Sequence, residues 1–299
     1  MPEVAPSLSG KVALVTGGSR GIGRAVAQRL AAAGATVVVS ARSKETPVAN
    51  QRLGRSEVVP GTLAETVALI EAAGGRAIAL AADLENDAER AELVARAADV
   101  AGRIDILVNN AGFADYARVE DMSLAQFDRT LDHYLRTPFV LAKAALPYMK
   151  ASGAGWIVNI GSVTALPPVR PYLDYAKAGG DVVYAAAKAA LHRFTQGLAA
   201  ELVEANVAVN LVGPSTAIRT PGADALIPAD YPTEDVEYLA ETVLAMCWKP
   251  AVERTGLVAF SMHFPWHHDV QVMSLDGRAA FPRREPPAWS HPAIGASAD

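Results

Sequence analysis

Short, almost wholly apolar runs alternate along this chain with longer stretches in which apolar positions recur at helical spacing. The first run, VALVT (12–16), precedes a glycine turn and the helix-like GRAVAQRLAAAG. TVVVS (36–40), RAIALAAD (76–83), IDILVNNAG (104–112), GWIVNIGS (155–162), VAVNLVGP (207–214) and TGLVAFSM (255–262) complete a set of seven predicted strands. Between them TLAETVALIEAAGG, DAERAELVARAADVAG, the long SLAQFDRTLDHYLRTPFVLAKAALPYM, DVVYAAAKAALHRFTQGLAAELVEA and a stretch near 234–248 read as helices. Several strand runs are apolar without alternation, as expected of strands covered on both faces. Strand alternating with helix predicts right-handed crossovers and a parallel sheet between helix layers.

No composition break divides the pattern, so it predicts one doubly wound α/β domain over residues 10–281. Residues 1–9 read as a flexible lead-in. Residues 282–299, with Pro282, Pro286, Pro287 and Pro292, read as an irregular tail that could wrap a neighbouring subunit. The apolar fraction, 51%, is ample for a large core, which argues against a disordered chain. Net charge is −5 with acids and bases mixed, so no basic block points to nucleic acid. The single cysteine, Cys247, excludes an internal disulfide and fits a reducing compartment. MPEVAPSLSG lacks the basic start and apolar run of a signal peptide, and no stretch approaches the roughly 20 apolar residues of a membrane span. The expectation is a soluble cytoplasmic protein.

The first chemistry-bearing segment is TGGSRGIG (16–23), between the first strand and the first helix. Gly17, Gly21 and Gly23 permit positive φ and close backbone approach. The helix start then offers N–H groups and a positive dipole end to a pyrophosphate. Strand before and helix after make a dinucleotide the preferred ligand over a plain glycine turn.

TGGSRGIG resembles the Thr-Gly-x-x-x-Gly-x-Gly signature of the short-chain dehydrogenase/reductase family. NNAG (109–112), IVNIGS ending at Ser162, and the Tyr-x-x-x-Lys of YAAAK (184–188) resemble that family's further motifs, in family order across residues 10–262. The resemblance implies a Rossmann-like, seven-stranded, mostly parallel sheet in order 3-2-1-4-5-6-7. It implies Ser162, Tyr184 and Lys188 as catalytic residues, with Lys188 also holding the nicotinamide ribose and Ser162 bonding the substrate oxygen. Cofactor contacts would come from Gly17, Ser19, Arg20, Gly21, Ile22 and Gly23; from Arg42, Asp83 and Leu84; from Asn110, Ala111 and Gly112; from Tyr184 and Lys188; and from Pro214, Ile218 and Thr220. Asp83 would contact adenine, or serve only as a helix cap. A homotetramer or homodimer, built partly from the long helix and the Tyr184 helix, is also implied.

The second strand ends in Ser40, Ala41, Arg42 and Ser43, with no acid before Glu45. An NAD site usually places an acid there for the ribose 2′-hydroxyl. Arg42 and Arg20 instead suit a 2′-phosphate, so NADP(H) is expected. Arg52 and Arg55, in the lengthened loop 44–61, are further candidates or plain solvated charges. Tyr184 and Lys188, four apart on a helix, share a face. A neighbouring ammonium and the cofactor's positive ring would lower the phenol below its ordinary pKa of about 10, equipping it to exchange a proton with a carbonyl or alcohol.

Three departures from the family pattern stand out. Tyr134 occupies the position of an asparagine whose carbonyl holds a water linking the lysine to solvent. His133 does not replace it, since a helical neighbour points about 100° away. Ser162 and Tyr184 are 22 positions apart, and the additional residues 167–181 include Tyr172 and Tyr175 as candidate mouth aromatics. Pro214-Ser215 replaces the usual Pro-Gly, ahead of a lid-like stretch to about 233. HFPWHH (263–268) clusters histidines without a second ligand group, so no metal is expected.

The expected function is NADP(H)-dependent interconversion of a carbonyl and a secondary alcohol on a small or medium, fairly apolar molecule, with neither nucleic acid nor membrane as partner. A cofactor-binding sensor or scaffold with weak turnover is the alternative. Epimerisation or dehydration on the same fold is a third.

Overall fold

The computed structural model describes residues 7–297 apart from 53–54, 114 and 225–226, and of residues 50–52, 55, 57 and 295–297 it describes the backbone alone. Among the described residues, seven strands form one parallel sheet: β1 (Val12–Thr16), β2 (Thr36–Ala41), β5 (Arg76–Ala81), β6 (Ile106–Asn109), β7 (Gly155–Ile160), β8 (Val207–Gly213) and β9 (Val258–Phe260). Their spatial order is β5-β2-β1-β6-β7-β8-β9, which is 3-2-1-4-5-6-7 when the seven are counted along the chain. The numbers missing from the sheet belong to a two-stranded antiparallel hairpin, β3 (Ala49–Arg52) and β4 (Arg55–Val58), inside the segment the sequence reads as a lengthened loop.

The unbroken apolar runs are explained by burial on both faces. Along β1, Ala13 and Val15 enter one core layer while Val12 and Leu14 enter the other. Val37 and Val39 against Val38 in β2, and Ile106 and Val108 against Leu107 in β6, divide the same way. The first layer is closed by α1 (Gly21–Ala32), α2 (Leu63–Ala72) and α8 (Val236–Ala245), the second by α3 (Asp87–Ala101), α5 (Thr137–Ala151) and α7 (Val182–Leu202). Helix starts follow local chemistry. Thr62 accepts the Glu65 N–H at the head of α2, Asn86 accepts two N–H groups at the head of α3, and a Ser123–Gln126 capping box opens α4 (Leu124–Leu131).

The predicted single helix over 123–149 is interrupted. One π turn, Asp132–Arg136, separates α4 from α5, and Tyr134 is its central residue. Such a bulge carries one additional residue per turn and redirects the side chains it contains. The lead-in is anchored where it is described: Leu8 is buried and its N–H donates to Ala33 O. The tail is also docked, since Tyr238 Oη donates to Pro282 O and Ile294 is buried. The order of strands reverses between β1 and β6, which opens a crevice at their carboxyl ends. No helix among the described residues is long and apolar enough to cross a membrane.

Candidate active site

Thr16, at the end of β1, organises the crevice. Its Oγ1 donates to Val108 O at 3.2 Å and accepts the N–H groups of Asn110 and Ala111, both at 3.0 Å. Asn110 Nδ2 donates back to Thr16 O at 2.8 Å. A Cβ on Gly23 would stand 2.3 Å from Gly17 O and 2.4 Å from Asn110 Nδ2, so the turn closes only around a bare backbone. Gly17 and Gly21 have φ of +67° and +54°. The helix that follows, α1, has no side-chain cap and no acid in its first turn. Its positive end is thus kept for an anionic ligand, and the cradle fits a pyrophosphate. Ser19 is buried, Ile22 packs on the core, and Thr220 lies against Gly21, 3.2 Å from its Cβ position. Ile218 is buried in the same core layer beyond the half-buried Pro214.

At the end of β2, Arg42 Nη1 stands 4.0 Å from the Asp83 carboxylate. Arg20 Nη1 donates to Val59 O at 2.5 Å, and its pKa is lowered by burial, then by the charges of Arg42 and Arg24. Three guanidiniums therefore surround this end of the crevice. Arg20 also fastens the inserted loop to the glycine turn, where Gly61 (φ +120°) lies so close that a Cβ would meet Arg20 Cβ at 2.7 Å. The side chains of Arg52 and Arg55 lie outside those described. Asp83 is not the cap of α3, because Asn86 fills that role; its Oδ1 accepts the Glu85 N–H instead. Leu84 is buried beside it.

The Ser162, Tyr184 and Lys188 side chains converge at the carboxyl end of β7. Ser162, just past β7, stands near enough to the Tyr184 hydroxyl to lower its pKa, and its Oγ meets Thr164 Oγ1 at 2.8 Å. Lys188 Nζ donates to Ile160 O at 2.6 Å and lies 5.8 Å from the centre of the Tyr184 ring. Behind the site, Asn109 Nδ2 donates to Asn159 Oδ1, and Asn159 Nδ2 donates to Thr195 Oγ1, both at 2.9 Å. This buried chain clamps β6, β7 and α7 in one register, and so fixes where Tyr184 and Lys188 stand. Neither Thr195 nor Thr164 belongs to a motif, which is why the sequence does not single them out.

In the protein alone the Tyr184 phenol lies above its ordinary value. Burial raises it, the Ser162 hydroxyl offsets part of that rise, and the Asp181 carboxylate adds to it. Burial pushes Lys188 down to about 7. His192, one turn further along α7, falls to about 4 through burial and then the Lys188 charge, and its Nε2 is buried with no hydrogen-bond partner.

Tyr134 stands where the asparagine of the resemblance is expected. Lys188 Nζ lies 4.2 Å from the centre of its ring, and that ring meets the Tyr184 ring edge to face at 5.1 Å. A Cβ on Gly112 would meet Tyr134 Cε1 at 2.6 Å, so glycine at 112 admits the ring. His133 points elsewhere, as expected: its Nε2 meets Glu85 Oε1 at 3.0 Å and its ring abuts Phe113.

Ser215 is buried and useful where it stands. Its Oγ accepts the Met262 N–H and meets His263 Nδ1, both at 2.9 Å, and its N–H donates to Ser261 Oγ. Glu234, which no motif marks, closes the lid at its base. Its carboxylate accepts from Thr216 N and Ser261 Oγ, while its own N–H donates to Ala217 O. Burial raises Glu234 to about 7 against these hydrogen bonds. His263 is thus a lid-base residue, and no group of three or more His, Cys, Asp or Glu suited to a metal occurs among the described residues.

Comparison with known proteins gives the family. A family model for short chain dehydrogenase matches residues 11–229. An uncharacterized oxidoreductase of Thermotoga maritima is 36% identical over 210 residues, 70% of this chain and 73% of its own. Oxidoreductase UcpA of Salmonella typhimurium is 33% identical over 239 residues, covering 80% of this chain and 81% of its own. Among solved structures, a metagenomic short-chain oxidoreductase in complex with NADP superposes with a TM-score of 0.66 at 30% identity, over 85% of this chain and 97% of that one. A short-chain type dehydrogenase/reductase from Mycobacterium marinum gives 0.69 at 28% identity, over 85% and 96%.

Proposed function

The chain belongs to the short-chain dehydrogenase family, and on that premise we propose that it is an NADP(H)-dependent oxidoreductase interconverting a carbonyl and a secondary alcohol on a small or medium, fairly apolar substrate. The observation that carries this reading is Lys188 Nζ 5.8 Å from the Tyr184 ring on the same helix face, with Ser162 close to the phenol and a glycine turn shaped for a pyrophosphate.

The dinucleotide, when bound, supplies or accepts the hydride. Gly17 to Gly23 and the start of α1 would hold its phosphates, Arg42, with Arg20 beside it, would meet a 2′-phosphate, and the segment from Pro214 to Thr220 would lie toward the nicotinamide. Ser162 orients the substrate oxygen. Tyr184 gives that oxygen a proton on reduction and removes it on oxidation, and Lys188 keeps the phenol in a cationic setting. NADP preference rests on the guanidiniums at the end of β2, and the NADP-bound relative is consistent with it. The reading includes a reducing, cytoplasmic setting. It also includes a homodimer or homotetramer built on α5 and α7, whose outer faces carry the Phe139–Phe194 ring pair.

The test is NADPH consumption across a panel of ketones, with Tyr184→Phe as control. Turnover that survives this substitution rules out the assigned acid. NADPH binding without turnover of any carbonyl would favour the sensor reading instead.

A further inference from the structure

The chain beyond Phe281 runs from the lid to the start of the insertion that follows Ser162. Phe281 packs edge to face on Tyr238 at 5.6 Å, and Arg284 pairs with Asp235 at the lid base. Trp289 meets Tyr231 of the lid edge to face at 6.0 Å. His291 Nε2 then meets Pro167 O, at the start of the insertion, at 2.9 Å, and Ile294 sinks beside Phe260 and Phe264 at the sheet edge. Pro167 is five residues from Ser162. The far end of the insertion leads directly into Tyr184 and is fastened to the 115–121 loop by Ala117 N to Gly180 O at 2.9 Å and Arg118 Nη1 to Ala178 O at 3.1 Å. That loop sets Tyr116 edge-on to Tyr184, 5.3 Å between ring centres. The insertion therefore arches from Ser162 to Tyr184, and lid and tail flank it.

Two aromatics from two of these segments meet there: Tyr231 of the lid pairs with Trp289 of the tail. Tyr175 of the insertion is a third exposed ring. Tyr175, Tyr231 and Trp289 remain 60, 42 and 52% exposed. Large rings brought together yet left open mark a surface that binds an apolar ligand. The charges around it are already matched. Arg219 holds Asp224 and Pro228 O, Lys177 holds Asp174, and Arg118 holds Glu120. These cations sit with their own acids, which suits an uncharged substrate better than a carboxylate or phosphate.

We propose that Trp289, with Tyr231, forms the outer wall of the substrate cleft and selects ketones that carry an apolar ring beside the carbonyl. This rests on the oxidoreductase reading above and adds a specificity residue from the tail. Offset and edge-to-face contacts between rings are the interactions that a linear ketone of equal size does not make.

The test compares wild type, Trp289→Ala and Trp289→Phe on a ring ketone (acetophenone) and a small linear one (2-butanone). Calorimetric titration of each ketone into the NADPH complex accompanies the kinetics. Trp289→Ala should raise KM for acetophenone about tenfold, with kcat, the 2-butanone KM and the NADPH Kd unchanged, and Trp289→Phe should restore most of the loss. Equal changes for both ketones, or none, overturn the proposal. If wild type binds NADPH but reduces neither ketone, nor any other of the panel above, the oxidoreductase reading fails by itself. Calorimetry then decides the wall: acetophenone binding weakened by Trp289→Ala supports it, and binding that is absent or unaffected overturns it.

Discussion

Lys188 places its ammonium 4.2 Å from the centre of the Tyr134 ring, at the position where the family resemblance expects an amide. A cation over an aromatic face gains about 0.5–2 kcal/mol, the upper figure when desolvated, as here. The ring thus does part of what a hydrogen-bonded water does elsewhere: it makes a buried ammonium tolerable. Tyr134→Phe keeps the ring face and should hold kcat within about threefold of wild type, whereas Tyr134→Leu, apolar but smaller and without a π face, should lower kcat roughly tenfold. Steady-state rates of the two variants decide it. A Phe variant as impaired as the Leu variant would assign the role to the hydroxyl instead.

Tyr184→Phe removes the proton donor while leaving the ring between Tyr116 and Tyr134. General acid–base catalysis contributes about 10²–10⁴-fold, so kcat should fall by at least 100-fold. The NADPH Kd, read by fluorescence titration, should stay within about twofold, since the change removes one hydroxyl from a site whose phosphate contacts lie elsewhere.

Arg42 is the cation that most directly borders the end of β2, while Arg20 is occupied with Val59 O. A hydrogen bond to a charged group contributes about 1.5–3 kcal/mol, so Arg42→Ala should weaken NADPH about 10- to 100-fold and leave NADH nearly unchanged. Parallel titrations with both dinucleotides measure this. Equal weakening of the two would remove the 2′-phosphate from the account.

The parts of this molecule that were legible in its sequence are those fixed by period and by motif. Unbroken strands such as VALVT needed cover on both faces, and the sheet supplies it. Gly23 had to lack a side chain, and the 2.3 Å approach to Gly17 O explains why. The strand pair Ala49–Arg52 and Arg55–Val58 was not legible, because these polar, Arg-containing strands lack the alternation that burial imposes. The π turn at Tyr134 was not, because one additional residue in a helix leaves no compositional mark. The rise of the Tyr184 pKa depends on how deeply α7 is buried, which no local pattern reports. Glu234 and Ser215 act through partners 18 to 48 positions away, so only the folded chain brings them together.

Glu234 offers a pH signature that sequence reasoning would not reach. Its carboxyl is raised from 4.5 to about 7, chiefly by burial. Between those values the native state holds a proton that the unfolded chain has released. Its contribution to stability is therefore full below pH 4.5 and is lost as pH rises through 7. A span of that size corresponds to roughly 3 kcal/mol. Glu234→Gln can still accept from Thr216 N and meet Ser261, but it does not ionise. The Gln variant should therefore gain on wild type as pH rises, by several degrees in Tm between pH 5 and pH 8. His192 and His263, both lowered to about 4, destabilise the fold as pH falls from 6.5, and they do so in both proteins. Their effect cancels in the difference. Thermal melts of the pair across this range are the measurement, and a Tm difference that does not vary with pH would show that Glu234 is ionised throughout.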